Sequence, residues 1–200
     1  WDCDRLDEMF DRVFRVGLDQ MLRSRIPMRW HLLKARLFNL QRHRRAYTVG
    51  QEHYDVGNDL YQAMLDKRMA YTCAYWPETP NLDEAQEAKL DLVCRKINLQ
   101  PGMHVLDLGC GWGSFAKYAA EKYGAQVTGV TVSPEQVKLG NQRCRNLPIE
   151  IKYEDYRNVS GLYDRVISIG IMEHVGYKNY RTYMKSAYDR LKDNGLAFIH

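Results

Sequence analysis

Three glycines alternate in Val105-Leu106-Asp107-Leu108-Gly109-Cys110-Gly111-Trp112-Gly113, behind a short apolar run that contains a carboxylate. Glycine accepts positive φ and has no Cβ, so such a turn brings backbone close to a ligand. The G-x-G-x-G spacing differs from the G-x-G-x-x-G of dinucleotide folds. Asp107 is suited either to accept N–H groups of the turn or to meet the ligand itself. About twenty residues on, where a nucleotide-binding fold usually carries Asp or Glu for the ribose hydroxyls, Thr131 stands instead, which counts against NAD. Ser133-Pro134-Glu135-Gln136 follows, with Ser as N-cap, Pro at the first helical position and Gln at the third. Gln136 is therefore either half of a capping box or a ligand contact. Glu173 comes directly after a later apolar run, at the edge where α/β sheets bind ligands. Cys73 has the chemistry of a nucleophile but no general base beside it in sequence. His200 lies in an apolar run, where a histidine is ordinarily a satisfied core residue, and His53 and His174 read as structural.

These residues need a scaffold, and hydrophobic periodicity supplies one. Strands are predicted at 103–107, 126–130, 149–153, 163–169 and 196–200, and helices at 81–97, 114–123, 134–145 and 178–191. Short strands alternating with helices imply βαβ units and a Rossmann-like, doubly wound, mostly parallel sheet. Before it, 4–22 reads as an amphipathic helix, and Pro27 opens a second one with Trp30, Leu33, Leu37 and Leu40 on one side. Trp30 suits either a membrane interface or a packed core. The expected organisation is a helical segment over 1–50 and a ligand-binding α/β domain over 51–200. The chain opens on Trp1 and closes inside an apolar strand, so it is expected to be incomplete at both ends, short of the last strands of the sheet.

Composition narrows the class. A hydrophobic fraction of 45% supports a packed core. Five cysteines with no C-x-x-C pair argue against a disulfide framework or structural zinc and fit a reducing compartment. No apolar run approaches the ~18–20 residues of a spanning helix. The net charge of +4 is uneven: residues 1–50 hold eleven basic and six acidic residues, and 51–200 hold eighteen and nineteen. Between Met21 and Gly50 there are eight basic residues and no acidic one, a stretch attracted to any polyanion or simply a solvated face.

The glycine turn with Asp107 resembles the first motif of class I S-adenosylmethionine-dependent methyltransferases, in which the turn passes under the aminoacyl part and ribose of the cosubstrate. Further runs narrow the resemblance: His53-Tyr54-Asp55-x-Gly57-Asn58, Tyr71-Thr72-Cys73-Ala74-Tyr75, Thr131-Val132-Ser133-x-x-Gln136 and Ser168-Ile169-Gly170-Ile171-Met172-Glu173-His174-Val175-Gly176. With the turn, they are similar to the cyclopropane fatty acid synthases and the related mycolic acid cyclopropane synthases, and the basic segment before His53 is most similar to the bacterial phospholipid branch. The resemblance spans nearly the whole chain.

It implies that Asp107, Gly109, Gly111, Trp112 and Gly113 line the cosubstrate, that Tyr71 and Thr72 approach its methionine part, and that Thr131 and Gln136 approach its ribose. Glu154 and Asp155 would border the adenine. Thr72 replaces a common serine and keeps its hydroxyl; Glu154 replaces a common glutamine and adds a charge. In the family a bound bicarbonate, held by a carboxylate, a histidine, a tyrosine and backbone amides, takes the final proton. Glu173, His200 and the Cys73 backbone match three of these, and the tyrosine would lie beyond His200. The implied reaction is methylene transfer to cis double bonds of phospholipid acyl chains, on the inner face of a membrane to which a cytoplasmic enzyme attaches peripherally. The implied partner is the bilayer surface and not nucleic acid, and a homodimer stays open. The rival within the superfamily is a small-molecule amine N-methyltransferase.

Neutralising Arg42, Arg44 and Arg45 should weaken binding to anionic vesicles, and more so at low salt. Each basic residue near such a surface contributes roughly 1 kcal/mol, screened within a Debye length. Vesicle sedimentation at two salt concentrations checks this; equal pelleting of wild type and mutant would reduce the stretch to a solvated face.

Overall fold

The computed structural model describes residues 4–17, 30, 57–79 and 81–200. The basic stretch (Trp30 apart), the helix expected from Pro27 and the run 53–56 lie outside them. The chain divides into two compact units, 1–40 and 41–200. In the first, α1 (Leu6–Arg15) has acidic residues in its first turn and basic ones in its last, which complements the helix dipole. Ion pairs Arg5–Glu8, Arg12–Glu8 and Arg15–Asp11 run along it. Its apolar side chains Leu6, Phe10, Val13 and Phe14 are exposed.

In the second unit, α2 (Asn58–Met64) and α3 (Leu82–Lys96) precede the sheet. Asn81 caps α3 by accepting from the Asp83 N–H at 2.8 Å. Then β1 (His104–Leu108), α4 (Ser114–Tyr123), β2 (Gln126–Thr131), α5 (Pro134–Arg143), β3 (Ile149–Tyr153) and β4 (Tyr163–Ser168) alternate. A short α6 (Met172–Val175), a single 3₁₀ turn, α7 (Tyr180–Asp189) and β5 (Leu191–Ile199) complete the described chain. The sheet has five strands in the order β3-β2-β1-β4-β5, every pair parallel.

The strands and helices expected over 81–200 are present, with shifts at their ends. The helix expected over 178–191 starts at Tyr180, after the 3₁₀ turn. β5 starts at Leu191 rather than 196, because its pairing with β4 slips: Tyr163 faces Leu191 but Arg165 faces Leu196. Asn194 has φ +62 in the resulting bulge within β5.

Strand alternation divides the core between the two faces. Val105 and Ile167 pack with Leu90, Val93, Phe115 and Ala119 on one face. Leu106, Leu108 and Val166 pack with Val175, Tyr183 and Ala187 on the other. With both faces covered, the parallel strands can be apolar throughout. Because β2 leaves β1 on one side and β4 pairs on the other, the connections diverge at the carboxyl end of β1. That divergence opens a crevice, the usual ligand position of such sheets.

The approach of the glycine turn to β2 is tight. A Cβ at Gly129 would stand 2.7 Å from Cys110 Sγ and 2.8 Å from Cys110 Cβ. Gly129→Ala should therefore destabilise the domain by about 1–3 kcal/mol, the usual cost of overpacking. A denaturant midpoint equal to wild type would show that the turn is free to move off the strand.

Candidate functional site

The chain leaves β1 through Gly109 (φ +88), Gly111 (φ +55) and Gly113 (φ +79), left-handed positions that other residues enter at a cost. Gly109 N–H and Cys110 N–H both donate to the Val130 carbonyl, each at 3.0 Å. The expectation that Asp107 accepts the turn N–H groups is thereby corrected: β2 takes them. The Asp107 carboxylate, buried on the cleft wall, accepts no hydrogen bond from the described residues. Burial pushes its pKa up to about 7, with Lys89 pulling the other way.

The cleft beneath the turn holds about 550 Å³ of space, open solvent included. Of the residues predicted from sequence, Tyr71, Thr72, Asp107, Gly109, Gly111, Trp112 and Gln136 line it. A Cβ built on Gly111 meets nothing within 4 Å, so the space beside this turn is left open rather than filled by core. Gly113 instead packs inward, where a Cβ would lie 2.8 Å from Ile151 Cδ1. Trp112 is buried; its indole N–H donates to Asn58 Oδ1 at 2.8 Å, and its ring lies 4.7 Å from that of Tyr61. Tyr61 in turn meets Tyr71 edge-on at 5.4 Å.

Ser133 does cap α5, accepting from the Gln136 N–H at 3.3 Å. The Gln136 side chain does not return to Ser133: its Oε1 accepts from Thr131 Oγ1 at 2.5 Å. Thr131 and Gln136 are thus joined as one buried polar pair at the end of β2. Glu154 follows β3 there, its N–H on the Thr131 carbonyl at 3.0 Å. Asp155 is buried and organises its own loop, accepting from the Arg157 N–H at 2.9 Å and from its guanidinium at 2.8 Å.

Cys73, Glu173 and His200 come from three separate segments and gather around Gly170 (φ +71). The His200 carbonyl accepts from Gly170 N–H at 3.0 Å, and Glu173 Oε1 lies 3.8 Å from where a Gly170 Cβ would stand. Thr72 Cγ2 lies 2.4 Å from that same point, so Gly170 lets the 70–73 segment close against β4. Cys73 Sγ is 3.7 Å from His200 Nε2. The fold thus gives Cys73 the basic neighbour that its sequence surroundings lack.

Several cleft residues escaped sequence reading. Lys89 and Ser114 line it, as do Met69 and Ala70. Ser114 Oγ hydrogen-bonds the Arg68 and Met69 carbonyls at 2.7 and 2.9 Å. Asp66 accepts from the N–H groups of Arg68 and Ala70 at 3.0 and 2.7 Å. These contacts hold Met69 at φ +57, a strained backbone on the cleft wall. The available signal was Asp66 itself, since Asp is a habitual turn former.

A family model described as mycolic acid cyclopropane synthetase matches residues 41–200. A cyclopropane-fatty-acyl-phospholipid synthase of Escherichia coli strain K12 is 48% identical over 200 residues, covering 100% of this chain and 52% of that protein. A probable fatty acid methyltransferase of Pseudomonas putida is 44% identical over 155 residues, 74% of this chain and 39% of its own length. Among solved structures, a mycolic acid cyclopropane synthase complexed with SAH and CTAB is 34% identical with a TM-score of 0.74, covering 80% of this chain and 57% of its own. Coclaurine N-methyltransferase bound to N-methylheliamine and SAH is 27% identical with a TM-score of 0.79, covering 98% and 59%. The chain spans about half the length of the E. coli relative.

Gly111→Val should fold yet lose at least tenfold in affinity for S-adenosylhomocysteine, since its side chain would enter the open space of the cleft. Gly111→Asn, which tolerates left-handed backbone, separates occlusion from strain and should lose affinity too. Isothermal titration decides; wild-type affinity in either folded variant would remove the turn from the binding site.

Proposed function

The chain belongs to the mycolic acid cyclopropane synthetase family, and from that premise we propose that residues 51–200 bind S-adenosylmethionine and pass its methyl group, as a methylene bridge, to cis double bonds of phospholipid acyl chains. The observation that carries the reading is the junction at Gly170, where the cleft under the glycine turn meets the cluster of Cys73, Glu173 and His200. The cleft fits such a cosubstrate: it is open beside Gly111, and the Asp107 carboxylate on its wall has no donor among the described residues. Tyr71, Thr72 and Asp107 would meet the amino-acid end, Thr131 and Gln136 the ribose, and Glu154 the adenine, with Asp155 supporting that loop from within.

An unactivated alkene is a weak nucleophile, so the reacting carbons must be held at near-attack distance in a dry slot. The alkene electron pair attacks the methyl carbon, and the carbon–sulfur bond breaks with its pair left on sulfur. The products are S-adenosylhomocysteine and a lipid carbocation. Aromatic faces stabilise cations, and Tyr71 at the cleft supplies one. A proton then leaves the new methyl group and the ring closes. Bicarbonate held by Glu173, His200 and the Cys73 amide would supply the base for that proton. Glu173 can face such an anion only if one of the two carries a proton for the hydrogen bond between them. No covalent step is needed, so the Cys73 thiol stays a neighbour of the site and not its nucleophile.

Peripheral attachment to a bilayer belongs to the same proposal, through the basic stretch of residues 23–45. Among the described residues no helix is long and apolar enough to cross a membrane. The amine N-methyltransferase alternative is not favoured: the coclaurine enzyme shares the fold at 27% identity, whereas the phospholipid synthase is 48% identical over the whole chain. Incubating the full-length protein with S-adenosylmethionine and unsaturated phospholipid vesicles tests the reading. Lipid mass spectrometry should show a gain of one CH₂, with loss of olefinic protons by NMR; methylated amine as the only product would sink it.

Glu173→Gln should keep S-adenosylhomocysteine affinity and lose a factor of ~10²–10⁴ in turnover, the usual scale of general-base catalysis. The amide keeps the shape but alters charge and hydrogen bonding around the anion, so added bicarbonate should restore part of the loss. Near-normal turnover in bicarbonate-depleted buffer would remove Glu173 from the mechanism. A large loss of cosubstrate affinity would move it to the binding site.

A further inference from the structure

Lysine is rarely buried without a partner, because its ammonium gives up strong hydration. Lys89 is buried on the inner face of α3 and lines the cleft. Its Nζ donates to Thr72 Oγ1 at 2.7 Å, the one hydrogen bond it makes among the described residues. One turn earlier on the same face, Gln86 Nε2 donates to the Thr72 carbonyl at 2.8 Å and to the Ala70 carbonyl at 3.3 Å. Together the two side chains grip both the backbone and the hydroxyl of the wall that carries Tyr71 and Thr72. The acidic neighbours acting on Lys89 are Asp66 and Asp107. Asp66 is already engaged by two backbone N–H groups, whereas Asp107 has none. The site therefore holds an ammonium with unused donors and a carboxylate with unused acceptors, both on the cleft wall.

We infer that Lys89 is a positioning residue for cosubstrate binding: it fixes the Thr72 wall and balances the negative charge of Asp107, so that the carboxylate can receive the ligand's amino group. The inference rests on the reading that the cleft takes S-adenosylmethionine. Three titratable groups interact electrostatically with Asp107: Lys89 on α3, Cys110 in the glycine turn and Tyr183 on α7. Burial raises the pKa of both the Cys110 thiol and the Tyr183 hydroxyl, so both are neutral near pH 7. Lys89 is the basic one of the three; burial lowers its pKa, and the neighbouring carboxylates oppose that shift. Asp107 itself is raised to about 7, so its ionised form gains as pH rises through neutrality and is lost as pH falls. Removing the ammonium raises that midpoint further, and a protonated carboxyl pairs poorly with an ammonium ligand.

The test is titration of S-adenosylhomocysteine into the full chain from pH 6 to 8.5, for wild type, Lys89→Met, Lys89→Arg and Thr72→Val. Lys89→Met should bind roughly tenfold more weakly at pH 7.5, the scale of a lost charged hydrogen bond, and its affinity should fall off at a higher pH than in wild type. Lys89→Arg keeps the charge and should keep the wild-type pH midpoint with a smaller loss. Thr72→Val removes only the acceptor and should weaken binding without moving the midpoint. If Lys89→Met does not fold, the midpoints of the other two variants carry the decision, since a moved midpoint in Lys89→Arg or Thr72→Val overturns the inference. Equal affinity and an equal pH profile in folded Lys89→Met would overturn it while leaving the methyltransferase reading intact. Wild type that fails to bind would overturn that reading, and this inference with it.

Discussion

Two backbone N–H groups, those of Gly109 and Cys110, share one acceptor at the end of β2, the Val130 carbonyl, at 3.0 Å each. Neither donor is left orphaned, so the chain is forced across the top of the sheet instead of away from it. The crossing is possible only because Gly129 has no Cβ against Cys110 and because Gly109 and Gly111 accept positive φ. Once the turn is pinned there, Trp112 is driven beneath α2 and Gly111 is left beside open space. The cleft is thus what remains when a strand, a turn and a neighbouring carbonyl satisfy one another. It follows from backbone hydrogen bonding before any cleft side chain is considered.

The second constraint is electrostatic. Asp66, Lys89 and Asp107 are all buried, and an unpaired charge in such surroundings is costly. Asp66 is satisfied by backbone N–H groups and so fixes a turn. Lys89 is satisfied by Thr72 on one side and left with capacity on the other. Asp107 is left to burial, which raises its pKa to about 7. Of these three groups, the one away from the cleft is engaged by backbone, while the two on the cleft wall keep hydrogen-bonding capacity among the described residues.

Most of the architecture was legible because β1, α4, β2 and β3 are strongly periodic and bounded by Gly, Pro or Ser. The lapses have local physical causes. α2 was not expected because it is short and buries only Tyr61, while Leu60 and Met64 stay exposed, so no helical stripe stands out. The early start of β5 was hidden by the bulge around Asn194, whose polar residues read as a break between helix and strand. Lys89 was passed over because a lysine in a helical run normally marks the solvated face. Gln136 serves in two ways that the sequence reading had set as alternatives: its backbone serves the Ser133 cap, while its side chain pairs with Thr131 instead of completing a capping box. Spacing in sequence carried no hint of that division, since both roles use the same position.

The relation between the two halves of the site came only from the family resemblance and not from spacing or periodicity. Thr72–Cys73 and His200 are separated by most of the chain, yet both reach Gly170, which passes close under Thr72 because it too lacks a Cβ. On one side of this contact, β1 and β2 supply the glycine turn and the Thr131–Gln136 pair; on the other, β4 and β5 supply Glu173 and His200. The divergence of connections at β1 keeps the halves on separate strands, and the 70–73 segment bridges them from outside the sheet. A displacement of that segment would move the cleft wall and the Cys73 backbone together. Its anchoring by Asp66, Gln86, Lys89 and Ser114 therefore ties the wall of the cleft to the Cys73–Glu173–His200 cluster.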